Sequence, residues 1–358
     1  MVGEVSLPVF LALGITTIRD LGGPIDVALE ARRALDNGAA GPRLIFAGPF
    51  IDGDPPTLPG GEAMPDGDAV TRAVRERLDA GAEAIKLYST LPPEKVRQAI
   101  SEVAGQVPVT GHLGTTRASE AMNAGINGLE HALATPYNDF VPEELRTPPG
   151  QSWMAPNFWQ NLQKGWLEAD LTSDASRSWI ELLVEKDVSF CPTLTLSPGA
   201  DDRTEEERPF VRFPQEGLLG GRRRSYQVSP EARQLGQDAR RKLQDLVGLV
   251  HQAGGRVIAG TDTGPMQPPG FALHRELRHL SDAGLSNMDV IRASTARAAE
   301  ALWRDDLGTI ESGKRADFLL LRSDPLKDIA SLRDIQHVVR DGKLFDPQDL
   351  LDEARAVK

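Results

Sequence analysis

Seven short β-branched or apolar runs, most of them followed by an amphipathic stretch closed by glycine or proline, set the narrowest limit on what this chain can fold into. They are Ile15–Asp20, Arg43–Ala47, Ala84–Tyr88, Val107–His112, Ile126–His131, Val188–Leu194 and Arg256–Ile258. Stretches with helical periodicity lie between them. One runs from Pro24 to about Asn37 and is capped by Gly38, and another ends at Ala80 before Gly81. Others are predicted over Pro92–Ala104, Thr115–Ala124, Thr172–Lys186 and Pro230–Ala253. A helix after each strand carries the chain back to begin the next strand in the same direction, so this alternation predicts a parallel sheet. With 358 residues, 40% of them hydrophobic, the chain can fill one large α/β core. A closed barrel of this type wants eight strands. Seven leaves an open sheet or a barrel short of one unit. No Gly-x-Gly-x-x-Gly follows the first strand, which removes the main support for a dinucleotide-binding sheet.

Past Trp303 the texture changes. Ala316–Leu321 and Ile335–Arg340 read as strands, and Asp341-Gly342 reads as a hairpin turn. The reading divides the chain into a barrel unit, 1–303, and the C-terminal strands of a small β unit, 304–358. Two strands cannot form a stable sheet alone, and the sequence offers no evident partner for them.

Charge and cysteine usage exclude several partner classes. The chain carries a net charge of -12, which argues against a nucleic-acid partner. The one basic run, Arg222-Arg223-Arg224, reads as a solvated loop. No apolar run reaches the length of a membrane span, so no membrane partner is expected. The single cysteine, Cys191, permits no intrachain disulfide and reads as a buried, inert thiol. A cytoplasmic location is the default for such a chain, with an export signal possible only upstream.

Parallel α/β folds do their chemistry at the C-terminal ends of the strands. Four polar residues fall there: Lys86, His112, His131 and Asp262. Lys86, between Ile85 and Leu87, is either a salt-bridged lysine or a metal-bridging lysine modified to a carbamate. A lone histidine at a strand end is more often structural, but two at the ends of consecutive strands suit a divalent metal such as zinc. Asp262 fits a metal ligand or a base that takes a proton from bound water; taken alone it would read as the cap of the next turn. His274, at the start of a predicted helix, and Tyr226, beside the arginine run, are candidates for contacting substrate, each with a plain surface role as the competing reading. His251, His279 and His337 read as structural. The long connection from Ala132 to Asp170 holds Trp153, Phe158, Trp159 and Trp166, either as a pocket wall or as aromatic packing.

The order of these pieces resembles the amidohydrolase superfamily, in its imidazolonepropionase and metal-dependent prolidase-like branch. The resemblance rests on Gly14-Ile15-Thr16-Thr17-Ile18-Arg19-Asp20-Leu21-Gly22-Gly23, Ile85-Lys86-Leu87-Tyr88, Gly111-His112, Glu130-His131 and Gly260-Thr261-Asp262-Thr263. It continues through Ala293-Ser294-Thr295-Ala296-Arg297-Ala298-Ala299-Glu300 and through Gly308 to Asp317. The resemblance implies a (β/α)₈ TIM-type barrel with a β-sandwich built from both chain ends. It also implies one or two divalent metals, often zinc. By resemblance Lys86 is the carboxylated bridging lysine, His112 and His131 bind the second metal, and Asp262 binds the first and shuttles the proton. The substrate is then a small amide, cyclic amide or dipeptide-like molecule, cleaved at a C–N bond. A homo-oligomer is compatible with the reading. The family's first strand carries a His-x-His pair, whereas no histidine precedes His112 here. The expectation is therefore a barrel missing its first strand, in a chain whose Met1 is an internal methionine. The alternative is a catalytically impaired or non-catalytic relative.

Overall fold

The computed structural model describes residues 7–58, 61–151, 155, 157–196, 229–263 and 267–356. Six short strands occupy the predicted places: β1 Thr17–Asp20, β2 Arg43–Phe46, β3 Ile85–Leu87, β4 Val109–Gly111, β5 Gly128–Glu130 and β6 Ser189–Cys191. β1 pairs with β2, and β3 to β6 pair in chain order, all parallel. The two sets are joined by the parallel bridge of Ile51 to Leu87 and by the amide of Glu83 on the carbonyl of Phe46, 2.9 Å. At the other side Val257 bridges Phe190, also parallel. The seventh predicted run is thus present as a single bridge residue rather than a strand. Beyond it, the Ala259 amide donates to Ala293 of the helix Asn287–Ser294 at 2.9 Å, so a helix takes the hydrogen bond that a further strand would take.

The chain is therefore an α/β protein, and its helices begin where their caps dictate. Asp66 accepts from the Ala69 amide at the start of Gly67–Asp79; Ser173, Ser229 and Ser286 do the same for Asp174–Glu185, Pro230–Gln252 and Asn287–Ser294. The inner faces of these helices bury Val70, Val74, Leu183, Leu246, Val250 and Val290 against Ile85, Leu87, Leu129 and Phe190 of the strands. Fully burying one such side chain contributes about 1.5–3 kcal/mol. Among the described residues no helix is long and apolar enough to cross a membrane.

The aromatic connection is packing in its described part. Trp166 is fully buried and donates its indole N–H to the Leu133 carbonyl at 2.7 Å, with Tyr137 and Phe140 against its ring. Trp153 lies outside the described residues, as do Arg222–Arg224 and Tyr226.

The C-terminal strands find partners that the sequence reading did not supply. β7 Phe318–Leu321, β8 Ile335–Arg340 and β9 Lys343–Phe345 form an antiparallel sheet in the order 7-8-9. Asp341 and Gly342, both with positive φ (50° and 77°), make the turn between the last two. The inner face, with Leu319, Ile335 and Val338, packs on Val9, Leu11 and Leu13 and on Leu350 and Leu351 of the helix Pro347–Ala356. The expectation of two unpartnered strands is corrected on that ground. Arg43 of β2 ties this unit to the parallel strands through Asp317 at 2.7 Å and Asp341 at 2.6 Å.

Candidate active site

Side chains alternate across a strand. Ile85 and Leu87 enter the core beneath the helices, so Lys86 faces the other way. Register puts Lys86 beside Thr110, and Glu130 beside Cys191, on that same face. Arg19 of β1 reaches Glu130 of β5 at 2.7 Å, and the Thr110 hydroxyl donates to the same carboxylate at 2.6 Å. Burial opposes ionisation of Glu130, yet Arg19, Lys86 and Thr110 together hold it down at about 2. Glu130 is thus a charge already spoken for.

Lys86 is only 2% exposed, and among the described residues it has no hydrogen-bond or ion-pair partner. Burial lowers its pKa; the charges of Glu130 and Asp262 oppose that, and Arg19 adds to it. Burial thus works against the charged form of this amine.

His112 follows β4, with its amide on the Leu87 carbonyl at 3.0 Å. Its ring stands between Tyr88, 4.8 Å between centroids, and His131, 4.6 Å. Tyr88 in turn stacks on Phe50 at 4.2 Å. His131 follows β5 in the left-handed region, φ 66°, and its Nδ1 lies 2.9 Å from the Thr193 hydroxyl. Burial, His131 and Lys86 push His112 well below the ordinary histidine value; burial and Lys86 bring His131 down to about 3. Both imidazoles are neutral at neutral pH, the form in which histidine binds a metal.

Asp262 comes just after the Val257 bridge, exposed and at φ 47°. Its charge acts on both Lys86 and His112. Gly260 lets this segment close on β6: a Cβ there would sit 2.4 Å from the Cys191 sulfur. Among the described residues no three His, Cys, Asp or Glu side chains are grouped closely enough to hold an ion. The structure thus gathers Lys86, His112 and His131, with Asp262 at the rim. Two neutral imidazoles lie side by side here, and a three-donor set would need Lys86 or Asp262 in addition.

His274 is engaged elsewhere. Its Nε2 lies 3.0 Å from the Leu13 carbonyl, which can only accept, so the ring N–H donates and pins the N-terminal helix, Leu7–Ala12, to the helix Phe271–Asp282. Burial keeps it down at about 4. Three participants carried no assigned role in the sequence reading: Arg19, Thr193 and Glu276. Strand alternation could have flagged Arg19, since a charged residue amid apolar neighbours faces either solvent or a partner. Asp52 was also missed. This buried carboxylate accepts from the amides of Gly53, Thr57 and Thr90 and from the Thr90 hydroxyl, fixing the loop after β2 to the end of β3.

The sequence matches the family profile described as "Amidohydrolase family" over residues 6–345. Over 79 residues it is 38% identical to imidazolonepropionase from Deinococcus deserti, a match spanning 22% of this chain and 20% of that protein. Three solved structures share the fold. A Xaa-Pro dipeptidase with methionine bound in its active site has a TM-score of 0.65 at 23% identity, over 95% of this chain and 77% of that one. A prolidase complexed with N-methylphosphonate-L-proline has a TM-score of 0.65 at 20% identity, over 95% and 78%. A bottromycin amidohydrolase has a TM-score of 0.73 at 23% identity, over 98% and 75%.

Proposed function

The chain belongs to the amidohydrolase family, and from that premise we propose that it is a metal-dependent hydrolase opening the C–N bond of a small amide, cyclic amide or dipeptide-like substrate. The observation that carries the reading is buried Lys86, with no hydrogen-bond or ion-pair partner among the described residues, beside two neutral imidazoles at neighbouring strand ends. On this reading the parallel strands belong to a (β/α)₈ barrel, and the active face is the one where those strands end.

His112 and His131 would hold a divalent ion, with zinc the metal that two imidazoles and an oxygen donor suit. Lys86 would supply the oxygen. Its neutral amine attacks the carbon of carbon dioxide, a C–N bond forms and one proton is lost, leaving a carbamate anion. A bound ion would polarise the substrate carbonyl and lower the pKa of water. The protein's own residues do the rest. The Thr193 hydroxyl fixes the His131 ring. Asp262, at the exposed rim, takes the proton released by the attacking water and delivers it to the leaving nitrogen. Arg19 satisfies Glu130 beneath the site, so this carboxylate does not compete for the ion. Structures of similar fold are solved with methionine and with N-methylphosphonate-L-proline bound, which supports a small peptide-like substrate here.

A second reading is a relative with little or no turnover, holding at most one ion. It is favoured by the lack of a three-donor group among the described residues. A panel of N-acyl amino acids, dipeptides and cyclic amides, assayed with zinc, manganese or no metal in bicarbonate buffer, separates the two. The first reading predicts metal-dependent release of a free amine that Asp262→Asn abolishes. No release with any substrate while the ion is bound leaves the second, and metal-independent release contradicts both.

A further inference from the structure

We propose that Glu276 is a positioning residue for His131: through the backbone of Leu194 and Thr195 it holds Thr193 where the threonine hydroxyl accepts the Nδ1 proton of the imidazole. The proposal takes from the reading above only that His131 is a ligand.

Glu276 lies on the helix Phe271–Asp282 and is 0% exposed. Its Oε1 accepts from the Leu194 amide at 2.9 Å and its Oε2 from the Thr195 amide at 2.8 Å. These residues open the short 3₁₀ turn Leu194–Leu196 that follows β6. Immediately before it stands Thr193, at φ 49°. A β-branched residue is seldom found in the left-handed region and stays there only when its surroundings impose it. One side of Thr193 is imposed by the sheet: the His131 and Ala132 amides reach the Cys191 and Pro192 carbonyls at 2.9 and 3.0 Å. The other side is imposed by the turn, where the Leu196 amide returns to the Thr193 carbonyl at 3.0 Å and Glu276 takes the two amides between.

The chemistry requires a carboxylate. Two N–H groups presented side by side need two acceptor oxygens. Glutamine offers one, and its NH₂ would face the second amide. Aspartate keeps both oxygens but is one methylene short. Thr193 is the one side-chain hydrogen-bond partner of His131 among the described residues, and its hydroxyl can donate or accept. On the proposal the proton sits on Nδ1, which leaves Nε2 its lone pair for a ligand or a substrate proton. Release Thr193, and both tautomers become accessible.

The test uses the metal-free full chain with ¹⁵N-labelled histidine, the His131 signals being identified by their loss in His131→Asn. At mildly alkaline pH the wild type and Thr193→Ser should show one tautomer with Nδ1 protonated, whereas Glu276→Gln and Glu276→Asp should show averaging toward both. In the metal-loaded enzyme Glu276→Gln should lose about 10-fold or more in kcat or metal affinity. Should the variants fail to fold, amide exchange in the wild type decides the matter: Leu194 and Thr195 must be as slow as the strand residues. A His131 tautomer unchanged in Glu276→Gln, or fast exchange at both amides, overturns the proposal. If His131 binds no metal at all, the tautomer comparison is unaffected, so the two failures are distinct.

Discussion

Replacing Arg19 by methionine should destabilise the protein strongly at neutral pH and much less in acid. The Arg19–Glu130 pair is largely buried, with side-chain exposures of 12% and 5%. The distance between about 2 and the ordinary 4.5 corresponds to about 3 kcal/mol at roughly 1.4 kcal/mol per pH unit. A depressed carboxyl contributes that stability above its unfolded value and loses it as pH falls through the folded one. Removing one partner of a buried pair costs about 3–5 kcal/mol because a desolvated charge is left behind. Thr110 still donates to Glu130, so the lower end, about 3 kcal/mol, is expected at neutral pH. Near pH 3 the wild type retains only about 1.4 kcal/mol from this group, and the gap between wild type and variant should close to about that. Urea unfolding across pH 3–8 measures it. Arg19→Met/Glu130→Gln should recover much of the loss and show no such pH dependence. A cost below about 1 kcal/mol, or a gap that does not change with pH, refutes the claim that this pair is a buried, coupled interaction.

Three further outcomes follow from the same geometry. Asp262→Asn should lower kcat by about 100-fold or more while unfolding midpoints stay close to wild type, because Asp262 is exposed at the rim; steady-state kinetics beside urea unfolding check it. Trp166→Phe should cost about 1–3 kcal/mol, since it leaves the buried Leu133 carbonyl without its donor; differential scanning calorimetry reads the loss. Burial raises Glu276 to about 7, so the unfolded state deprotonates first and stability falls as pH rises from about 4.5 to 7. The Glu276→Gln variant should lack that decline, and the difference between the two should grow by about 3 kcal/mol across the window.

Much of the architecture was legible because its signals are local. Each parallel strand is a short apolar run ended by a turn residue, so Thr17–Asp20, Ile85–Leu87 and Gly128–Glu130 fall where the pattern put them. Lys86, His112 and His131 were legible because polar side chains stand out against such runs. Long-range relations were not. Nothing local marks Arg19 and Glu130 as partners 111 residues apart, or Glu276 as the cap of a turn 82 residues earlier. His274 shows the same limit: a histidine at a helix start reads like a contact for substrate, and only the fold shows it on Leu13. Lys343–Phe345 is too short for a period-2 pattern to register. The cover for its sheet comes from the chain's two ends, Val9 to Leu13 and Leu350 to Ala354, which no local pattern connects.

The central claim is that Lys86, His112 and His131 form one metal centre. The most direct test is the zinc content of the full chain after loading with zinc in bicarbonate buffer and gel filtration, compared with Lys86→Ala and His131→Ala. The account predicts bound zinc in the wild type, loss of nearly all of it in His131→Ala, and marked loss in Lys86→Ala. Equal zinc in all three proteins, or none in the wild type, contradicts it.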